Sequence, residues 1–305
     1  MMRQKMCGED CMVVEVDSSR KEKMSGLIFA CIAPHGSMIV PLLAGVEGQK
    51  ALATRAAMEE LGRRMAATHP ETVVVMTPHG HRIDGAFSLL NNRRVRGELG
   101  PEEDGNANSF TLVFEVDKDL NAAIVDASRS LEVPVRRIGY AVPDDPEYFQ
   151  QLDWGVTVPL WFLGGMFDLQ PKVVIACSDR GNMPWELFPR FGMAVRRAAE
   201  LAGRRVALIA SADMGHAHDE QGRYGFDPAS AEFDAATMDA IKAQDLGRLL
   251  TFDQAWVKRA ATDAFGQLLT LHGAIEGTDF RGELLSYEVP TYFGMMCVAY
   301  EYPAG

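Results

Sequence analysis

Four runs along the chain are apolar or β-branched at nearly every position: residues 27–32, 73–76, 173–177 and 206–210. Strands that lack polar alternation are covered on both faces, which is the pattern of a parallel sheet between helical layers. Residues 51–67 carry Ala, Leu and Met at helical spacing with Glu and Arg between them, predicting an amphipathic helix. Further helices are predicted over 119–131, 185–201, 229–243 and 255–272, and further strands over 85–90, 110–116, 133–140, 284–289 and 295–300. Residues 91–108 read as a polar loop long enough to cover a site, and 141–146 as a hard break at Pro143 and Pro146. Together these elements predict an α/β fold, a three-layer sandwich with a central mostly parallel or mixed sheet flanked by helices. Residues 1–24 are polar, charged and aperiodic and predict a flexible N-terminal extension, with 25–305 forming a single domain.

Three of the buried-strand runs end alike. Ala33-Pro34-His35-Gly36 follows the first, Thr77-Pro78-His79-Gly80-His81 the second, and Ser211-Ala212-Asp213-Met214-Gly215-His216-Ala217-His218 the run at 206–210. Open α/β sheets bind ligands at the carboxyl ends of their strands. If these three strands are parallel, five of the seven histidines gather on one edge.

Neutral imidazole suits iron(II), zinc and copper, and two histidines with one carboxylate leave open positions on iron(II). His35 and His79 occupy equivalent strand ends and are the first pair of candidate ligands; the competing reading makes them core histidines bonded to backbone carbonyls. His81 reads equally as a ligand, as a donor behind a ligand, or as a solvent-facing loop residue. Asp263, just ahead of the apolar Leu268-Leu269-Thr270-Leu271 stretch, is the favoured carboxylate and reads equally as an acid pointing inward from a helix or as a solvated helix acid; Glu288, in a strand whose alternation could equally put it on a wet face, is its rival.

Composition narrows the classes. A net charge of −12 argues against nucleic acid or anionic lipid as partner. No apolar run reaches the roughly 20 residues of a membrane helix, and no apolar stretch precedes Glu9 and Asp10 as a secretory signal requires, so a cytoplasmic protein is expected. Cys31, Cys177 and Cys297 sit in apolar runs as reduced thiols, while Cys7 and Cys11 lack a second ligand pair nearby and fit a tail. A homodimer is the base expectation for assembly.

Pro34-His35-Gly36, Pro78-His79-Gly80, the turn ending at His216, Tyr224-Gly225-Phe226-Asp227, His272-Gly273-Ala274 and Leu285-Ser286-Tyr287-Glu288 together resemble the class III extradiol ring-cleavage dioxygenases of the LigB type and their Memo-like relatives. The resemblance runs over residues 27 to 300. It implies a LigB-like catalytic domain over 25–305 and a non-haem Fe(2+) centre, with Zn(2+) the alternative, that opens a catechol-like or aminophenol-like ring with O2. By the same resemblance His35 and His79 correspond to the iron-binding histidines, Asp263 to the third metal-side residue, and His216 to the acid–base histidine. His81, Asp213, His218 and Trp154 then belong to the substrate surroundings, with His218 either orienting His216 or lying exposed, the latter preferred. Two departures stand out. The third metal-side residue is usually Glu in the dioxygenases, and they usually carry Asp-His-Gly where this chain has Asp153-Trp154-Gly155. Trp neither accepts nor relays a proton as His does, which leaves open a Memo-like metal-binding or partner-binding protein without turnover, or a zinc-dependent hydrolase.

Overall fold

The computed structural model describes residues 25–100, 108–142, 144–145, 147–179 and 183–303. The segment through residue 24 with Cys7 and Cys11, the middle of the 91–108 loop, and Pro143 and Pro146 lie outside the described residues. In chain order the strands are β1 (Gly26–Ala33), β2 (Thr72–Thr77), β3 (Phe87–Leu90), β4 (Arg94–Leu99), β5 (Phe110–Glu115), β6 (Val135–Ile138), β7 (Phe149–Gln151), β8 (Lys172–Cys177), β9 (Arg205–Ser211), β10 (Arg281–Glu288) and β11 (Met295–Glu301). The α-helices are α1 (Leu52–Ala67), α2 (Lys118–Ser130), α3 (Trp154–Phe162), α4 (Leu187–Ala202), α5 (Ala229–Lys242), α6 (Gln254–Arg259) and α7 (Phe265–Ile275).

Eight strands form one mixed sheet in the order β10-β11-β1-β9-β2-β8-β3-β6. The four β-branched runs are its centre: β1, β9, β2 and β8 are parallel neighbours. Their side chains divide between two cores by simple alternation. Val74 and Met76 of β2 join Leu208, Val174 and the buried faces of α2, α4, α5 and α7. Val73 and Val75 join Ile209, Ile175, α1 and α3 on the other face. A sheet covered on both sides has no wet face, so no polar alternation is needed. This is the three-layer sandwich expected from the sequence. Among the described residues, no helix is long and apolar enough to cross a membrane.

The structure differs from the pattern-based reading in three places. Part of the expected 91–108 loop is strand β4, which pairs with β5 and β7 in a separate three-stranded sheet. Its Arg94-Val95-Arg96-Gly97-Glu98-Leu99 alternation was masked by the charges, whose long stems flank buried Val95. Residues 154–162, given no element above, form α3; it is apolar all round because it lies between the two sheets' side chains. The helix expected over 255–272 is two helices, α6 and α7. Ala261 takes a left-handed φ of 51° between them, and the Thr262 hydroxyl accepts from the Ala264 N–H at 3.1 Å, a local bond that competes with helix continuation.

Glu288 is settled by its neighbours. Its carboxylate accepts from the Thr54 N–H at 2.7 Å and the Thr54 hydroxyl at 2.6 Å, so it closes the first turn of α1 from across the sheet. Glu288→Ala is expected to cost about 1–2 kcal/mol, the scale of a lost helix cap, measurable as a lowered urea midpoint at unchanged slope.

Candidate metal centre

The carboxyl ends of β1, β9 and β2 stand side by side, and the chain turns outward from each. His35 follows β1, His79 follows β2, and the segment after β9 carries Asp213 and His216. Asp263 arrives from the turn between α6 and α7, not from within a helix as the sequence suggested, because the left-handed Ala261 ends α6 first. The structure brings His35 Nε2, His79 Nε2 and Asp263 Oδ2 into one triangle with sides of 3.1, 3.2 and 3.4 Å. Two ligand atoms each about 2.1 Å from a common ion and at right angles to it stand about 3.0 Å apart, so this triangle fits a divalent cation held on one face. Among the described residues these three form the one group of His, Cys, Asp and Glu side chains close enough to share an ion.

His35 is 1% exposed, and its ring is oriented by a chain of hydrogen bonds that begins with a proline. In α3 the N–H four residues after Gly155 would ordinarily bond its carbonyl, but that residue is Pro159 and has no N–H. The freed Gly155 carbonyl accepts from the Ser211 hydroxyl instead. With its proton so committed, Ser211 Oγ accepts from His35 Nδ1 at 3.0 Å. Nε2 of His35 is thereby turned to the triangle in a tautomer that leaves its lone pair for a metal.

His79 is held differently. The indole of Trp154 stacks on its ring with centroids 4.2 Å apart and planes at 28°, and the His79 N–H donates to Thr77 Oγ1 at 3.2 Å. Thr77 in turn donates to Asp153 at 2.8 Å. Gly155 lets the start of α3 press in this closely, since a Cβ there would lie 2.7 Å from Thr77 Oγ1 and 3.1 Å from His79. Trp154 is 49% exposed, with His79 behind it.

Asp213 crosses behind the triangle. It accepts from the His35 N–H at 3.0 Å, its other oxygen lies 3.3 Å from His35 Nε2, and its own N–H donates to Asp263 Oδ1 at 3.1 Å. Burial raises the Asp213 pKa, and the neighbouring Asp263 charge adds to the rise. Asp263 goes the other way: burial opposes its charge, but His35 and His79 hold its carboxyl well below the usual range. Burial alone would depress His35; Asp213 and Asp263 outweigh it and lift the imidazole from 6.5 to about 9.

His216 is 9% exposed, and its Nδ1–H donates to the Met214 carbonyl at 2.8 Å, leaving Nε2 unprotonated in the neutral ring and 3.9 Å from Asp263 Oδ2. Phe293 stacks on it at 5.4 Å. Two predicted site residues lie elsewhere. The His81 side chain is exposed and its carbonyl receives the Ser88 hydroxyl, which makes it the solvent-facing loop residue. His218, expected to be exposed, is mostly buried and bonds Asp234 at 2.9 Å, where Tyr287 donates at 2.7 Å and the Gly215 N–H at 2.8 Å. This buried carboxylate was missed because nothing in the helical pattern of 229–243 separates Asp234 from a solvated acid; it secures the turn that presents His216. Ser211 was likewise overlooked, and its position at a strand end was the available signal.

Comparison with known proteins agrees with this architecture. The family described as the catalytic LigB subunit of aromatic ring-opening dioxygenase matches residues 29–297, and the chain belongs to that family. It is 27% identical over 257 residues to protein CA_C1420 of Clostridium acetobutylicum, an alignment spanning 84% of this chain and 54% of that protein, so the chain covers about half the length of this relative. The crystal structure of uncharacterized protein JW3007 from Escherichia coli K12 shares the fold with a TM-score of 0.51 at 13% identity, over 89% of this chain and 99% of that one.

Two outcomes follow for the site. With His35 raised to about 9, the metal-free protein keeps it protonated at pH 7.5, and the stability this gives is full below pH 6.5 and lost as pH rises through about 9. Metal loading at pH 7.5 is therefore expected to release about one proton, falling away above pH 9, as read by titration calorimetry in buffers of different ionisation heat. Ser211→Ala, which removes the bond orienting His35, is expected to weaken zinc affinity by roughly 10–100-fold with the fold intact by circular dichroism.

Proposed function

We propose that this protein is a non-haem Fe(II)-dependent extradiol dioxygenase that cleaves the ring of a catechol-like or aminophenol-like aromatic with O2. The observation that carries the reading is the convergence of two imidazoles and one carboxylate at the floor of an open cavity of about 570 Å3, in a member of the LigB family. His35, His79 and Asp263 would hold the metal, and a bound iron(II) ion supplies the electron path between an ortho-diphenolate and dioxygen. The carbon–carbon bond beside the two ring oxygens breaks, both atoms of O2 enter the product, and no external reductant is consumed.

The chain's own residues do the rest. His216, with its Nδ1 proton committed to the Met214 carbonyl, has Nε2 available to take a hydroxyl proton from the substrate and return it as the ring opens. Phe293 fixes the plane of that imidazole. Phe293, Tyr292 and Trp154 wall the cavity with flat apolar surface, which favours an aromatic ring and displaces water from beside the reacting atoms.

Trp154 supports a second reading. Where the dioxygenases resembled above carry a proton-relaying His, this chain stacks an indole on His79, an arrangement compatible with a Memo-like metal-binding protein that does not turn over. Anaerobic loading with iron(II), then oxygen and a panel of catechols and aminophenols, separates the two: coupled oxygen uptake and yellow ring-opened product are expected. Stoichiometric iron without uptake on any member would overturn the dioxygenase reading, and stoichiometric zinc with esterase or amidase activity would replace it with a hydrolase. His216→Phe is expected to retain iron while turnover falls ~100-fold or more; loss of the iron would make it a ligand.

A further inference from the structure

A second cavity lies far from the triangle. Strand β11 starts at Met295, beside Asp213, and Tyr300 stands further on toward the opposite end of the sheet, about 17 Å along the strand. There the carboxyl ends of α5 and α7 meet the start of β10 and enclose a space of about 220 Å3, which shares no lining residue with the cavity above the metal centre. Its wall includes His272, the histidine of the His272-Gly273-Ala274 motif, which takes no part in the triangle.

The floor of this space holds a hydroxyl with nothing to bond. The backbone of Tyr300 lies inside the sheet, paired with Ala30 on one side and Gly282 on the other, so its ring is what reaches the cavity. The ring crosses the edge strand at Gly282, where a Cβ would lie 2.6 Å from Tyr300 Cε1 and 2.9 Å from Cζ. Tyr300 is 3% exposed, and among the described residues its hydroxyl has no hydrogen-bond partner. Burial raises the phenol, which therefore stays protonated, with a donor and an acceptor both unused. Buried polar atoms are nearly always bonded, and one left over beside a cavity marks a place for a ligand atom.

The rim carries both signs of charge: Asp245 and Glu276 line it, and so does Arg281. Glu276 Oε1 lies 3.8 Å from His272 Nε2, whereas Asp245 and Arg281 make no ion pair among the described residues. Gly247 packs against both His272 and Asp245, since a Cβ there would lie 3.4 Å from His272 Nε2 and 3.3 Å from Asp245 Oδ1, so the imidazole and the carboxylate face one small space. The carboxyl ends of two helices add partial negative charge beside them. A simple cation would leave Arg281 unanswered and a simple anion would leave Asp245 so; a zwitterion answers both. We propose that this cavity is a second ligand site that takes a free α-amino acid with a polar side chain, its ammonium held by Asp245 and Glu276, its carboxylate by Arg281 and its side-chain tip by the Tyr300 hydroxyl. Since roughly 150 Å3 is enough for benzene, about 220 Å3 fits a molecule of roughly nine or ten non-hydrogen atoms.

The test uses the full metal-free chain, isotope-labelled at the isoleucine methyls for magnetic resonance, with L-glutamine as the probe, titrated to ~10 mM. The methyl of Ile275, which lines the cavity, is expected to shift and saturate, and that of Ile39, close behind Gly36 of the metal cavity, to stay in place. L-Norleucine, of similar length but without the amide, is expected to bind ~10-fold more weakly, and 4-aminobutanamide, which is glutamine without its carboxylate, ~3-fold more weakly. Tyr300→Phe should bring glutamine and norleucine to within about 2-fold of each other. Asp245→Asn and Arg281→Gln, both at exposed positions, should each weaken glutamine ~3-fold. An unmoved Ile275, or a shift at Ile39 in its place, would overturn the proposal. Equal binding of norleucine and glutamine by the unaltered protein, or glutamine affinity that survives both Asp245→Asn and Arg281→Gln, would do the same, and full affinity for 4-aminobutanamide would remove the zwitterion from it.

Discussion

The structure turns on one electrostatic constraint: two imidazole nitrogens and a carboxylate oxygen, largely buried, lie within 3.4 Å of one another from three distant parts of the chain. Such a cluster is costly to bury unless its charges are paired and its polar atoms bonded. The surrounding fold meets that cost with opposed groups. Asp263 is kept charged by the imidazoles, His35 is kept basic by Asp213 and Asp263, and the His35 ring is tied through Ser211 to the Gly155 carbonyl. The same balance that holds the site together suits it to a divalent cation, whose binding would displace a proton from His35.

How the two histidines are aimed shows the fold serving the chemistry. His35 inherits its orientation from the helix across the site, through a carbonyl that Pro159 leaves without its usual partner. His79 is braced by an aromatic face. The first device is rigid and sheltered; the second is half-exposed and borders the cavity. Trp154 thus faces the cavity on one side and steadies His79 on the other.

Above the triangle the cavity grades from charge to aromatic wall to Arg223 at its rim. Each layer comes from a different element: strand ends and the α6–α7 turn at the floor, α3 and the segment before β11 at the walls, and the loop after His218 at the rim. The mixed sheet makes this possible, because parallel strands that stop at one level present their loops to a common space.

The chain's residue pattern alone determined a good deal. Unbroken β-branched runs identify the four central parallel strands, since only strands buried on both faces lack polar alternation, and Pro-His-Gly after two of them marks the edge where chemistry gathers. What only the tertiary structure decided was partnership. Asp263 and Glu288 are both acids near apolar stretches, and nothing local distinguishes one that faces two imidazoles from one that closes a helix. His216 and His218 differ by two residues, yet one lines the cavity and the other is tied to Asp234. Ser211 and Pro159 acquire their meaning 52 positions apart, by meeting at one carbonyl. Periodicity records which face of an element is buried; it carries no record of what lies across the gap, and the work of this site is done across gaps.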